Sequence, residues 1–239
     1  MAASYRVAII VFNGVDVLDF CGPLEVLTAS SRISTSSASK ALIQPILIAA
    51  APTVRCMSPM TVSRDMSIAD AQAQLMDWDA IIVPGGPPDI VKALLTAQDK
   101  DGAGAEIMEF LKAFTALDAA VTEGKRERVI MSVCTGAFFL GATGILEGKR
   151  ATTHNRAVDE LRQIAGPGTE VVGFKRWIDG GLVEGGRNGH RGLRVVTAGG
   201  ISSGLDASLY FVSLLGGAEV AKVSARMMEY QWRIEEEEE

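Results

Sequence analysis

Residues 129–155, VIMSVCTGAFFLGATGILEGKRATTHN, decide how this chain folds. Val129, Ile130, Met131 and Val133 are apolar and strand-prone, interrupted only by Ser132, and they run straight into Cys134. Thr135, Gly136 and Ala137 then open an apolar segment of helical length. A strand that turns into a helix at a cysteine lifts that side chain into a cleft at the strand's carboxyl end, where the first helical N–H groups converge. The helix dipole favours thiolate, so the expectation is a Cys134 thiol that is reactive near neutral pH. An inert core cysteine is the other reading. Residues 129–146 carry no charge, which raises a membrane span as an alternative. Their three glycines, two threonines, serine and cysteine are explained by a strand, turn and helix and not by a span.

Outward from this elbow the same alternation repeats. Toward the amino end, residues 5–12 (YRVAIIVF) read as a buried strand closed by Asn13 and Gly14, and Gly22 and Pro23 introduce a helix over 24–29. Asp19 falls between Leu18 and Phe20 just before that helix, as a cap or as a functional carboxylate. Residues 30–40 (SSRISTSSASK) have no apolar period and are expected to form a surface loop. Residues 42–49 form a second strand, 54–62 a short hairpin or edge strand around Pro59, and 68–75 a weak helix. Residues 80–83 are a third parallel strand, ending at Pro84, Gly85 and Gly86, where main-chain N–H groups could approach a ligand closely.

Residues 103–121 place Ile107, Phe110, Leu111, Phe114 and Leu117 on one helical face. Beyond the elbow, 155–165 is a shorter helix and 171–178 has strand character. Residues 180–192 (GGLVEGGRNGHRG) lack the Lys-Ser/Thr of a phosphate loop and read as a hairpin or loop. Residues 193–197 are the last strand, followed by helices over 202–215 and 218–230. No unit of 20 to 50 residues repeats. Continuous apolar strands alternating with helices imply an α/β protein, a flavodoxin-like three-layer sandwich with a mostly parallel central sheet. Residues 1–234 make one domain, and 235–239 an acidic tail expected to fray.

Composition narrows the function classes. The chain has 239 residues, enough for a substantial core, and a formal charge of −6 that comes almost entirely from the five glutamates at 235–239. The remaining body is near neutral and has no basic stripe for nucleic acid. Three cysteines (Cys21, Cys56, Cys134) and two histidines (His154, His190) show no metal-type spacing, so neither a metal nor a cofactor is expected. The odd cysteine count and the absence of a basic leader at the amino end lead to the expectation of a cytoplasmic protein.

SVCTG at an elbow, LEGKRATTH after it and PGG before it resemble the DJ-1/PfpI superfamily, and within it the isonitrile hydratase branch, from Val7 to about Met228. That resemblance implies conversion of an isocyanide and water to an N-substituted formamide through a thioimidate on Cys134. Asp19, whose LDFCGP matches the family's LDLTGP, would move the protons, and Thr135 would be a hydrogen-bonding site residue. Gly85 and Gly86 would be backbone donors. Cys21, His154 and Gly200, the last in a second glycine-rich strand-to-helix turn, would lie on the substrate side. A homodimer acting on a small molecule is implied as well. Cys21 stands where the pattern has threonine, Pro87 and Pro88 where it has small residues, and Asn155 where it has an aromatic. Two other readings stay open: a DJ-1-like glyoxalase or deglycase using the same cysteine with His154, and a ligand- or redox-sensing domain without catalysis.

Overall fold

The apolar runs become strands that are buried on both sides. The structure, a computed structural model, describes residues 4–35, 42–96, 98–99, 101–117, 127–183 and 192–234. Strand β1 (Ser4–Ile10) leads into helix α1 (Val17–Thr35), and β2 (Leu42–Ala49) follows. A hairpin of β3 (Thr53–Arg55) and β4 (Thr61–Ser63) comes next, then β5 (Met66–Ser67) and α2 (Ile68–Ala73). Strand β6 (Ala80–Val83) passes through residues 84–86 to α3 (Pro88–Leu94), which is followed by α4 (Ala103–Thr115). Strand β7 (Arg128–Val133) turns at Cys134 into α5 (Ala137–Thr143). Then come β8 (Arg150–Ala151), α6 (Val158–Ala165) and β9 (Glu170–Val171). Strands β10 (Trp177–Leu182) and β11 (Leu193–Ala198) and helices α7 (Ser203–Gly216) and α8 (Ala218–Met227) complete the chain.

Among the described residues, seven strands form one sheet in the order β10-β11-β7-β6-β1-β2-β5, parallel throughout except for the antiparallel β10–β11 edge. Helices α1, α7 and α8 pack together on one face and α2 to α6 on the other, which makes three layers. From β1 the chain moves outward to β2 on one side and to β6, β7 and β11 on the other. The strand order therefore reverses between β1 and β6, and such a reversal opens a crevice at the carboxyl ends of the strands. Register places the partners there: Val83 lies opposite Ser132 and Val133 opposite Ala198. Residues 84–86, Cys134 and Gly199 thus leave the sheet side by side.

Three expectations need correction. Helix α1 begins at Val17, not Leu24, and continues to Thr35 with Pro23 inside it. Pro23 removes the N–H that would reach the Asp19 carbonyl and its ring crowds that carbonyl, and packing against α7 and α8 holds the helix together across this site. Ser30 and Ser31, read as loop, lie in this helix, where their hydroxyls are satisfied by the carbonyls four residues back. Ser30 Oγ also meets Ser224 Oγ at 2.8 Å, so the serine-rich composition at this end is buried polar packing. Residues 36–40 of that stretch lie outside the described residues. The strand read over 171–178 divides into β9 and β10, with Phe174 between them at φ 60. Gly180, Gly181 and Leu182 belong to β10, while 184–191, with His190, lie outside the described residues, as do 118–121 of the long helix and the tail 235–239. The uncharged stretch 129–146 divides into β7 and α5, and among the described residues no helix is long and apolar enough to cross a membrane.

Candidate functional site

Cys134 occupies the elbow with φ 56, a left-handed conformation uncommon for a residue with a side chain. Its backbone is tied on both sides: the amide donates to the Gly199 carbonyl at 3.0 Å and the carbonyl accepts the Thr153 hydroxyl at 2.8 Å. The side chain is 6% exposed. The amides of Thr135 and Ile201 both bear on the sulfur. Ile201 is itself at φ 40, so a second strained non-glycine residue supplies an amide to the thiol.

Asp19, in the first turn of α1, is fully buried. Its Oδ2 accepts the Gly85 amide at 3.0 Å. Oδ1 is left without a conventional partner, and the Cys134 thiol bears on the carboxyl as a donor. Burial, and then the charge of Asp16, push the Asp19 pKa up to about 7, against the Gly85 and Cys134 hydrogen bonds. Burial, and then Asp19 itself, push the Cys134 thiol up to about 12, against the Thr135 and Ile201 amides. The direction is opposite to the one expected from the helix terminus alone. The turn after Cys134 is one 3-10 step and a seven-residue helix, and its partial charge does not outweigh desolvation beside two carboxylates. At rest the proton belongs to sulfur, with an ionisable carboxyl waiting next to it.

The glycines of residues 84–86 serve this carboxyl. A Cβ on Gly85 would lie 2.6 Å from the Thr135 nitrogen, so only glycine lets this loop meet the elbow. The Gly85 amide is engaged by Asp19 and the Gly86 amide by Thr135 Oγ1 at 2.9 Å. Neither is the free backbone donor that the sequence reading expected. Thr135 contributes its amide to the sulfur and its hydroxyl to the Gly86 carbonyl at 2.7 Å.

The remaining expected residues divide into two places. Cys21 is half-buried on α1, and burial and the neighbouring Cys56 push its thiol up. His154 packs on Gly200, where an added Cβ would meet its ring at 2.5 Å, and its Nδ1 accepts the Arg156 amide. Together with Asn155, Phe174, Lys175, Arg176 and residues 201–203 they line a cavity of about 310 Å³. Ile201 joins the two places, its amide on the sulfur and its body in the cavity wall.

Sequence reasoning missed Asp16, Thr153, Gly199 and Ile201. Asp16 was legible in principle: DVLD puts one carboxylate at the cap and a second three residues on, in the first turn, once the helix is started at Val17. Its Oδ1 caps Leu18 and its amide donates to the Gly85 carbonyl, which closes the β1–β6 crevice. Ile201 carried no signal, because a backbone amide aimed by strain has no residue-type signature.

Residues 5–206 match the DJ-1/PfpI family. An isonitrile hydratase of Pseudomonas putida is 27% identical over 227 residues, 95% of this chain and 79% of that protein. An uncharacterized protein of Streptomyces lividans is 33% identical over 156 residues, 64% of this chain and 89% of that protein. Among solved structures, a ThiJ/PfpI family protein of Pseudomonas syringae superposes with a TM-score of 0.69 at 22% identity, over 99% of this chain and 79% of its own. Drosophila melanogaster DJ-1beta superposes with 0.67 at 15% identity, over 97% and 100%.

Proposed function

The chain belongs to the DJ-1/PfpI family, and on that premise we propose that it hydrates isocyanides to N-substituted formamides through a covalent thioimidate on Cys134. The observation that carries this reading is the buried pair: the Cys134 thiol set beside the fully buried Asp19 carboxyl, whose Oδ2 accepts the Gly85 amide. The hydratase relative at 27% identity, spanning 95% of this chain, supports the choice of reaction.

An isocyanide carbon needs a nucleophile and a proton, and the pair supplies both. Asp19 carboxylate takes the thiol proton as sulfur attacks the carbon, then passes that proton to the same carbon, which gives S–CH=N–R. The carboxylate is regenerated. It next takes a proton from water as the water oxygen adds to the thioimidate carbon, and passes that proton to nitrogen, which gives S–CH(OH)–NH–R. The C–S bond breaks as the hydroxyl gives up its proton and the carbonyl forms, the Asp19 carboxylate carries that proton to sulfur, and the formamide leaves. The Thr135 and Ile201 amides hold charge on sulfur during attack and departure. The cavity of about 310 Å³ next to Ile201 takes the substituent R.

His154 sits on Gly200 in this arrangement, and the groups that set the thiol's ionisation are Asp19, Asp16 and two amides. That favours a Cys–Asp site over a Cys–His one. We read the protein as a homodimer in the cytoplasm on the same family premise. The test is to incubate it with an alkyl or aryl isocyanide, follow formamide by mass, and run methylglyoxal in parallel. Formamide formed by the wild type and lost in Cys134→Ala supports the reading. Turnover of methylglyoxal alone replaces it with the glyoxalase reading.

A further inference from the structure

The amide of Ile201 reaches the sulfur from a turn that has backbone bonds of its own, Ser203 N–H to the Gly200 carbonyl at 3.1 Å and Gly204 N–H to the Ile201 carbonyl at 3.2 Å, and that is fastened from outside as well. Ile201 is β-branched at φ 40, a conformation that persists only where the surroundings enforce it. Arg176, in the loop before β10, supplies that enforcement. Its Nη1 donates to Ser202 Oγ at 3.1 Å, its Nη2 donates to the Ser202 carbonyl at 2.9 Å, and its own carbonyl accepts the Gly199 amide at 2.9 Å. Residues 199 and 202 are therefore both fastened to one arginine, with Ile201 between them. Gly199 in turn accepts the Cys134 amide, so the turn and the elbow are fixed to each other.

The guanidinium is held from behind. Nε donates to Asp206 Oδ2 at 2.8 Å, and Asp206 is fully buried at the start of α7. The other oxygen of that carboxylate accepts the Tyr230 hydroxyl at 3.1 Å and the Arg233 amide at 2.9 Å, while Trp232 Nε1 donates to the Asp206 carbonyl. Tyr230 Oη also meets Arg176 Nη2 at 3.4 Å. Residues 230–233 thus close over the ion pair. A lysine in place of Arg176 keeps the charge and loses the fork that grips Ser202 at two points.

We propose that Arg176, locked by Asp206 and Tyr230, is a positioning residue that sets the reactivity of Cys134 by holding the Ile201 amide against the sulfur. The proposal concerns the thiol and does not depend on which substrate it attacks. The charged and titratable groups around that sulfur are Asp19 and Asp16 from the β1–α1 side, with His154 packed on Gly200 from the side after β8. All are unchanged in the variants below.

The experiment follows iodoacetamide labelling of Cys134, located by peptide mass, from pH 6 to 10. Arg176→Lys and Tyr230→Phe are compared with the wild type, and Arg162→Lys, on the exposed face of α6, is the control. Losing the Ile201 amide leaves less thiolate at any given pH. Arg176→Lys should therefore label roughly tenfold more slowly at pH 8, the effect of about one pH unit, with its profile displaced toward high pH. Tyr230→Phe should move the same way by less, and Arg162→Lys should superpose on the wild type. A folded Arg176→Lys protein whose profile is unchanged or faster overturns the proposal. If Arg176→Lys does not fold, Tyr230→Phe decides: a profile identical to wild type overturns it. No isocyanide is used, so a wild type that fails to hydrate isocyanides would refute the proposed function and leave this result standing.

Discussion

Thr135 and Gly86 hold each other in both directions: the threonine hydroxyl donates to the Gly86 carbonyl at 2.7 Å and accepts the Gly86 amide at 2.9 Å. One side chain thereby fastens the loop after β6 to the elbow after β7. The adjacent Gly85 amide is aimed at Asp19 as a result. Thr135→Val keeps the shape and strands two buried backbone groups, which is expected to destabilise the protein by about 1–3 kcal/mol. Denaturant titration measures that loss, and turnover should fall with it because the Asp19 carboxyl loses its alignment. Thr135→Ser, which restores the hydroxyl, should recover most of both.

The pH profile of isocyanide turnover follows from the carboxyl near pH 7. The working form has Asp19 ionised and Cys134 protonated. Below about pH 7 the carboxyl is protonated and cannot accept the thiol proton, so kcat/KM should fall about tenfold per pH unit on the acid side. Above it the rate should level off, since the thiol keeps its proton until about pH 12. A rate that falls as pH rises from 7 to 9 would contradict this assignment of the proton.

Asp19→Asn should separate reactivity from turnover. Removing the carboxylate takes away the second-largest cause of the raised thiol pKa, so Cys134 should alkylate several-fold to tenfold faster at pH 8. Turnover should nevertheless drop by about 10² to 10⁴, because the proton carrier is gone. Labelling and formamide formation, measured on the same preparation, should therefore move in opposite directions.

The same carboxyl makes stability depend on pH. Its folded pKa is about 7 and its ordinary value 3.8, so between these limits the folded state holds a proton that the unfolded state has released. Stability from this group is thus full below about pH 4 and is lost as pH rises through 7, by on the order of 4 kcal/mol. Asp19→Asn should abolish that slope and be more stable than the wild type at pH 8. Unfolding curves at pH 5 and pH 8 for both proteins check the sign.

Assembly is tested by mass. A homodimer should scatter as twice the 25.3 kDa of one chain across the micromolar range, and a constant monomer mass would exclude it.

What could be read in the residues, and what could not, divides along a physical line. The buried strands and the elbow were legible because runs such as residues 80–83 and 129–133 are apolar without alternation, and because small residues follow Cys134. The start of α1 was misplaced because Gly22 and Pro23 look like a helix beginning, whereas tertiary packing carries the helix through them. Placing that start late put Asp19 outside the helix and hid Asp16. The direction of the shift at the thiol was hidden for a different reason. A helix terminus can be seen in a sequence, but the depth at which a sulfur is buried and the carboxylate it faces across a gap of more than a hundred residues cannot. The clamp from Arg176 to Asp206 has the same character, since its partners are joined only by the fold.

Asp19, Gly85, Cys134 and Ile201 come from four separate strand ends spread along the chain. Their meeting requires three non-local parallel pairings, of β1 with β6, β6 with β7 and β7 with β11, to be complete at the same time. Pairings of this kind form late, because each must close a long loop before it is rewarded. Local helices can therefore return early during refolding while the thiol is still an ordinary, exposed cysteine. The moment at which Cys134 becomes sluggish toward reagents marks completion of the sheet, and this one side chain serves as a kinetic clock for the folding of the whole chain.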